Sequence, residues 1–178
     1  MPLAKFAQFA LLLAVVTFGA SRADAAQLSL SPADTTVQLG DTFTLRVECD
    51  AVSDLKGLQT AWSYSAVRLQ LIAMPAGNVF TDAGGDWFAQ LLADVAPADT
   101  AWMDAAMLDG STSGPGVVAY LTFKALVPGD AHIGCVTAEI RNGLNVSLAP
   151  SCTGGVVRVA APVPAVKRSW GKVKSLRR

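Results

Sequence analysis

The chain has 178 residues, 52% of them hydrophobic, and its 14 basic side chains balance 14 acidic ones. A chain of this length is expected to form one domain, since domains usually contain roughly 100–200 residues. Thirteen acidic residues stand against six basic ones between residues 27 and 160, which argues against binding of nucleic acid because that function requires a basic face.

Residues 1–26 have the pattern of a secretory signal peptide. Lys5 precedes an apolar run at 6–20, and residues 23–26 offer an A-x-A cleavage site. The run is shorter than the roughly 20 residues that span a bilayer, and no second long apolar run follows it. The sequence therefore predicts an exported protein, secreted or associated with the cell envelope, without a transmembrane segment after cleavage.

The body of the chain, residues 27–160, alternates apolar and polar side chains with a period of two. This period is typical of β-strands with one buried and one solvated face. Pro32 is expected to interrupt the first strand, and Trp62 falls on the buried side of its strand. The predicted strands are 27–30 with a continuation at 36–39, 42–49, 58–64, 67–74, 101–108, 117–127, 131–140 and 156–159. Turns rich in Gly, Pro, Asp and Asn separate them, which indicates an all-β sandwich.

The stretch 88–109 is ambiguous at its beginning. Apolar residues at positions 88, 91, 92 and 95 have helical spacing, so a short helix and a pair of strands both fit. In the strand predicted at 101–108, Trp102 and Asp104 share one face with Ala106. Met103 and Met107 lie on the other face, where we expect them to fill the core.

Three cysteines, Cys49, Cys135 and Cys152, follow the signal peptide. Export permits a disulfide, and the odd number leaves one thiol over in each of the three pairings. Cys135 and Cys152 flank the approach to the last strand and are the favoured pair, with Cys49 as a buried thiol. No C-x-x-C spacing is present, so a metal site is not expected.

The composition changes after residue 160. A Pro-rich spacer at 161–164 leads into a tail with six basic residues among the last twelve. Trp170, Val173 and Leu176 are spaced by three within it, as in an amphipathic segment. Residues 161–178 are therefore predicted to be a spacer and a basic tail that contacts the envelope or the sorting machinery, with a frayed chain end as the alternative.

Four segments of the body, taken in order, resemble cohesin modules. Residues 37–47, VQLGDTFTLRV, are similar to the family's V-x-x-G-D-x-F-x-V-x-V opening, and 52–59 followed by 62–69 are similar to its V-x-x-L-x-G-F-Q and L-x-Y-D-P-x-x-L segment. Residues 116–125, GVVAYLTFKA, resemble a G-x-L-A-x-I-T-F-K-A strand, and 128–131 resemble the turn after it. Ser65 and Ala66 replace the usual Asp-Pro, and Leu58 replaces an aromatic residue.

This resemblance implies a jelly-roll β-sandwich of about nine strands that binds a dockerin-type protein module. In cohesins the partner docks on one sheet face that includes the strand matching residues 57–64. By position, the residues implied to bind the partner are Gly57, Gln59, Ala61, Ser63, Trp102 and Asp104.

Catalysis has little support in the sequence. His132 is the only histidine, and neither G-x-S-x-G nor H-E-x-x-H is present. An EF-hand-like D-x-D-x-D-G run of the kind a dockerin carries is also missing, and no cofactor is expected.

Trp87 lies in a Gly-rich loop and has two interpretations. Exposed, it would stack on a sugar ring of a polysaccharide; folded back, it would cap the end of the sandwich, which we favour because large aromatic side chains are mostly buried. Three functions therefore remain open: a dockerin-binding module, which we favour, a carbohydrate-binding module, and a structural domain of the cell envelope.

Overall fold

The computed structural model describes residues 26–92 and 99–162. The predicted signal peptide, apart from Ala26, and the basic tail from residue 163 lie outside the described residues, as does Val95. No helix within the described ranges is long and apolar enough to cross a membrane.

The described residues form eleven strands and one short helix. In chain order these are β1 (Gln27–Ser31), β2 (Asp34–Gln38), β3 (Thr42–Cys49), β4 (Leu55–Ser63), β5 (Leu69–Ala73), α1 (Asn78–Thr81), β6 (Trp87–Leu92), β7 (Thr100–Met107), β8 (Gly116–Ala125), β9 (Gly129–Asn142), β10 (Ser151–Thr153) and β11 (Gly155–Ala160). The predicted all-β class is confirmed.

The strands build two sheets that pack face to face. The five-stranded sheet has the order β10-β1-β3-β8-β5, and the six-stranded sheet has the order β2-β11-β9-β4-β7-β6. Their inner faces share one core, with Trp62, Phe80 and Phe123 among its largest fully buried side chains. Period-two alternation places Trp62 and Phe123 inward, Phe80 enters the core from α1, and the outer face of each sheet is left in solvent.

Two chain runs pass from one sheet to the other, which explains why eleven strands are seen and about nine were expected. The break at Pro32 divides the first run into β1 and β2, and Gly154 divides the last run into β10 and β11. The two runs pair in parallel in both sheets, β1 with β10 and β2 with β11. Counted as continuous runs, they give the nine strands of the expected sandwich.

The ambiguous stretch is a pair of antiparallel strands, not a helix. Trp87, Ala89 and Leu91 of β6 pack toward the core, while the residues between them are exposed. β7 alternates as predicted, with Met103 and Met107 buried and Trp102 and Asp104 on the outer side. β6 and β7 pair along their length as antiparallel strands. This pairing makes residues 88–92 a strand, although their apolar residues have helical spacing.

The structure joins Cys135 to Cys152, the pair that the sequence favoured. The bond links β9 of the six-stranded sheet to β10 of the five-stranded sheet, across 17 positions of sequence. Cys49 is a buried free thiol.

Candidate functional site

The outer surface of β6, β7, β4 and β9 is the candidate site, and we call it the four-strand face. Register aligns its outward side chains in rows that cross all four strands. In the strand order β6, β7, β4, β9 the rows are Phe88–Ala106–Gly57–Arg141, Gln90–Asp104–Gln59–Glu139 and Leu92–Trp102–Ala61–Thr137.

The first row contains a depression with an aromatic side chain beside it. Gly57 and Ala106 are the small central residues of this row, so the surface dips between Phe88 and Arg141. The resulting cavity has a volume of about 280 Å³, and Gln59, Asp104 and Glu139 of the second row also line it. Phe88 is 51% exposed, which is unusual for a side chain of its size. A depression beside an exposed apolar side chain is typical of a protein–protein contact surface.

Gly57 has space for a side chain. A Cβ atom there would find its nearest neighbours at 3.8 Å, the Arg141 Cβ, and 3.9 Å, the Ala105 carbonyl oxygen. Both distances are ordinary van der Waals contacts, so the hollow exists because residue 57 is glycine, not because the backbone requires glycine.

Charged groups border the depression on the β9 side. Arg141 forms an ion pair with Glu139, and its second guanidinium nitrogen donates to the Asn145 carbonyl oxygen at 3.2 Å. Both partners of the pair remain partly exposed, so it orients the two side chains and adds little stability.

Trp102 and Asp104 are joined on the four-strand face. The Trp102 indole Nε1 donates to Asp104 Oδ2 at 3.0 Å, and both residues are half-buried. Gln59 lies directly opposite Asp104 on β4. The structure therefore places Gly57, Gln59, Trp102 and Asp104 together on one sheet face.

Ala61 is a correction to the predicted site. It lies on the outer side of β4 by alternation, yet its side chain is 0% exposed. Trp102 on one neighbouring strand and Thr137 on the other stand directly opposite its methyl group, which is too short to reach past them. Ala61 therefore cannot contact a partner.

Ser63 belongs to the edge of the site. It is half-buried, and its hydroxyl donates to the Gly134 carbonyl oxygen at 3.3 Å across the β4–β9 ladder. This bond engages the hydroxyl proton of Ser63, so Ser63 is a minor part of the four-strand face.

Trp87 packs as the favoured of its two interpretations expects. It begins strand β6 instead of lying in a loop, and it packs against the core, with its ring centroid 6.2 Å from that of Phe80. The capping interpretation fits this placement better than the stacking one.

Sequence reasoning missed Phe88, Glu139 and Arg141. Helical spacing groups Phe88 with Leu91 and Leu92, whereas alternation with Trp87 and Ala89 places Phe88 outward. For the two β9 residues the sequence carries no such indication, because only the register with β4 brings them beside Gly57 and Gln59.

A larger groove lies at the other end of the six-stranded sheet. Its volume is about 550 Å³, and Asp130, His132, Val156 and Arg158 are among its lining residues. Arg158 is paired with Asp130 at 3.1 Å, and the groove has no aromatic anchor. No group of three or more His, Cys, Asp or Glu side chains in the described ranges can hold a metal ion. For these reasons the cavity of about 280 Å³ beside Phe88, and not this groove, marks the candidate site.

No protein-family model matches this sequence, and no curated protein matches it. Solved structures do match the fold. The sixth cohesin of Acetivibrio cellulolyticus scaffoldin B, solved with a mutant Cel5 dockerin, has a TM-score of 0.62 at 17% identity and covers 76% of this chain and 99% of its own. The seventh ScaB type I cohesin of Pseudobacteroides cellulosolvens has a TM-score of 0.64 at 15% identity, with 81% and 97% covered.

A third match is an archaeal structure. The non-cellulosomal cohesin of the archaeon Archaeoglobus fulgidus has a TM-score of 0.62 at 14% identity and covers 85% of this chain and 97% of its own. The chain therefore has the cohesin fold, which the four sequence segments indicated.

Proposed function

We propose that this chain, with its cohesin fold, is a non-catalytic extracellular module that docks a dockerin-type protein on the four-strand face. The exposed Phe88 beside the depression over Gly57 and Ala106 is the observation that carries the proposal. An apolar anchor next to a hollow of small residues gives a partner side chain a site from which water is excluded.

The identity of the partner class rests on the comparisons. Structural neighbours of this chain were solved as cohesin–dockerin complexes, among them the scaffoldin B cohesin of Acetivibrio cellulolyticus. Gln59, Asp104 and Glu139 supply hydrogen-bonding groups around the apolar centre, as the rim of a protein interface requires. Service in an assembly that handles polysaccharide is part of this proposal.

The test is a binding titration of the purified protein with calcium-loaded dockerin modules by calorimetry. Gly57→Trp is the informative variant, since its side chain fills the depression while its Cβ meets no close neighbour. Phe88→Ala removes the anchor. We expect either change to weaken binding by about tenfold or more, which corresponds to about 1.4 kcal/mol.

Gln70→Trp is the matched control. Gln70 is exposed on β5 of the other sheet, so the same bulky side chain is added on the opposite face. Dockerin binding should survive this change. If both Gly57→Trp and Gln70→Trp bind dockerin as tightly as the unmodified protein does, the four-strand face is not the docking surface.

A further inference from the structure

The indole of Trp102 is turned along its strand toward Asp104. Trp102 and Asp104 are successive outward residues of β7, separated by roughly 6.6 Å of strand. The indole Nε1 donates to Asp104 Oδ2 at 3.0 Å, so the Nε1 edge of the ring is directed along the strand. The complete burial of Ala61, directly opposite Trp102 on β4, agrees with a ring that covers its neighbour.

This hydrogen bond fixes the ring in place before any ligand arrives. The carboxylate of Asp104 accepts the only proton that an indole can donate, which restricts the side chain to one orientation. Trp102 is partly exposed, and a side chain that is already ordered loses little entropy on binding.

A row of polar groups runs beside the ring. Gln90, Asp104 and Gln59 occupy neighbouring strands of the second row. Within the ranges that the structure describes, the side-chain amides of Gln59 and Gln90 make no hydrogen bond, so their donors and acceptors are available to a ligand. Two amides around one carboxylate can both donate to and accept from hydroxyl groups.

We propose that Trp102 and this polar row form a binding site for a pyranose ring of a neutral, extended polysaccharide chain. The C–H-bearing face of a pyranose is apolar and stacks on an aromatic face, while its hydroxyls, around the ring edge, hydrogen-bond to groups at the side. The open outer face of the sheet suits an extended β-1,4-linked chain, which presents such ring faces without needing a deep pocket.

The sugar site shares Gln59 and Asp104 with the proposed docking surface, but the two sites use different aromatic side chains. Trp102 belongs to the third row and Phe88 to the first, four residues apart along the strands, or roughly 13 Å. A substitution at one position therefore leaves the other side chain in place, and the two activities are separable by mutation.

The experiment is a calorimetric titration of the purified protein with three β-1,4-linked probes, cellohexaose, xylohexaose and mannohexaose, and with α-1,4-linked maltohexaose. We expect saturable binding of at least one β-linked probe and none of maltohexaose. Trp102→Leu keeps apolar bulk but loses the ring, and should weaken binding by about tenfold or more. Trp102→Phe should retain affinity to within a few fold.

Phe88→Ala is the matched control and should bind the sugar like the unmodified protein. Asp104→Ala offers a second variant if Trp102→Leu does not fold, since loss of the orienting carboxylate should also weaken sugar binding. The proposal is overturned if no β-linked probe binds, if maltohexaose alone binds, or if folded variants at positions 102 and 104 bind like the unmodified protein.

Discussion

Cys49 is the residue whose chemistry the core changes most clearly. Burial raises the pKa of its thiol from 9.0 to about 11, and the neighbouring charge of Asp50 adds to the rise. A thiol reacts as its thiolate, so Cys49 is expected to be inert in the native protein at neutral pH. It acts as a small apolar side chain of β3.

The first prediction is therefore a thiol count that depends on folding and pH. The native protein should show no rapidly reacting thiol at pH 8, and the denatured, unreduced protein should show one. As pH rises from 9 toward 11, the native thiol should begin to react, because its folded-state pKa is raised. Three reactive thiols in the denatured protein would contradict the disulfide, and one at pH 8 in the native protein would contradict the burial of Cys49.

At the scale of single residues, alternation predicted which side chains face outward where the sequence of one strand sufficed. It placed Trp102 and Asp104 outward on β7 and Gln59 outward on β4, and all three are there. It placed Ala61 outward too, and Ala61 does lie on the outer side of β4, but its methyl group is buried because Trp102 and Thr137 stand beside it on the neighbouring strands. The exposure of a small side chain depends on its neighbours in the adjacent strands, and the sequence of its own strand does not identify those neighbours.

At the scale of elements, the passage from β10 to β11 depends on two glycines. A Cβ atom on Gly154 would collide with the Ile133 carbonyl oxygen, and one on Gly155 with the Ala33 carbonyl oxygen. The neighbouring amide of Val156 donates to that same Ala33 oxygen at 2.8 Å, so the two switching runs approach closely here. Close approach of backbones is a role that glycine alone fills without strain.

We predict that Gly155→Ala lowers the free energy of unfolding by about 1–3 kcal/mol, since the added methyl group must displace backbone. Urea unfolding followed by fluorescence measures it. Gly57→Ala is the control, because its Cβ has space, and it should change stability little. Equal stability of the two variants would show that the switch tolerates a side chain.

The disulfide is a covalent cross-link between the two sheets. It closes a loop with a sequence separation of 17 between β9 and β10. The double change Cys135→Ala with Cys152→Ala avoids a stray thiol and should cost about 3 kcal/mol of stability, because the unfolded chain regains loop entropy. A urea midpoint that does not move on this change, with the same dependence on denaturant, would contradict a stabilising role.

Elements themselves were predictable to different degrees. Most strands follow from alternation and turn residues, including the break at Pro32 that separates β1 from β2. β6 did not, because its apolar residues fit a helical and a strand period equally in so short a segment. The register of β9 against β4 shifts between Ala61 and Trp62, and no local sequence pattern indicates such an irregularity.

At the scale of the whole molecule, charge divides the chain into an acidic body and a basic tail. Six of the fourteen basic residues lie in the last twelve positions. Deletion of residues 166–178 is predicted to change where the protein accumulates, because a cationic segment with spaced apolar residues suits an anionic surface or a sorting receptor. Cell fractionation measures this, with deletion of residues 1–26 as a reference; an unchanged distribution would contradict the prediction.

Hydrogen exchange of the protein with and without a bound calcium-loaded dockerin tests the central claim most directly, because it reports every strand at once. The account predicts slower exchange in peptides from β6, β7, β4 and the 137–141 part of β9, centred on Phe88 and Gly57. Peptides from β3, β8 and β5 of the other sheet should be unchanged. Protection confined to that other sheet, or to the Asp130–His132 groove, would contradict it.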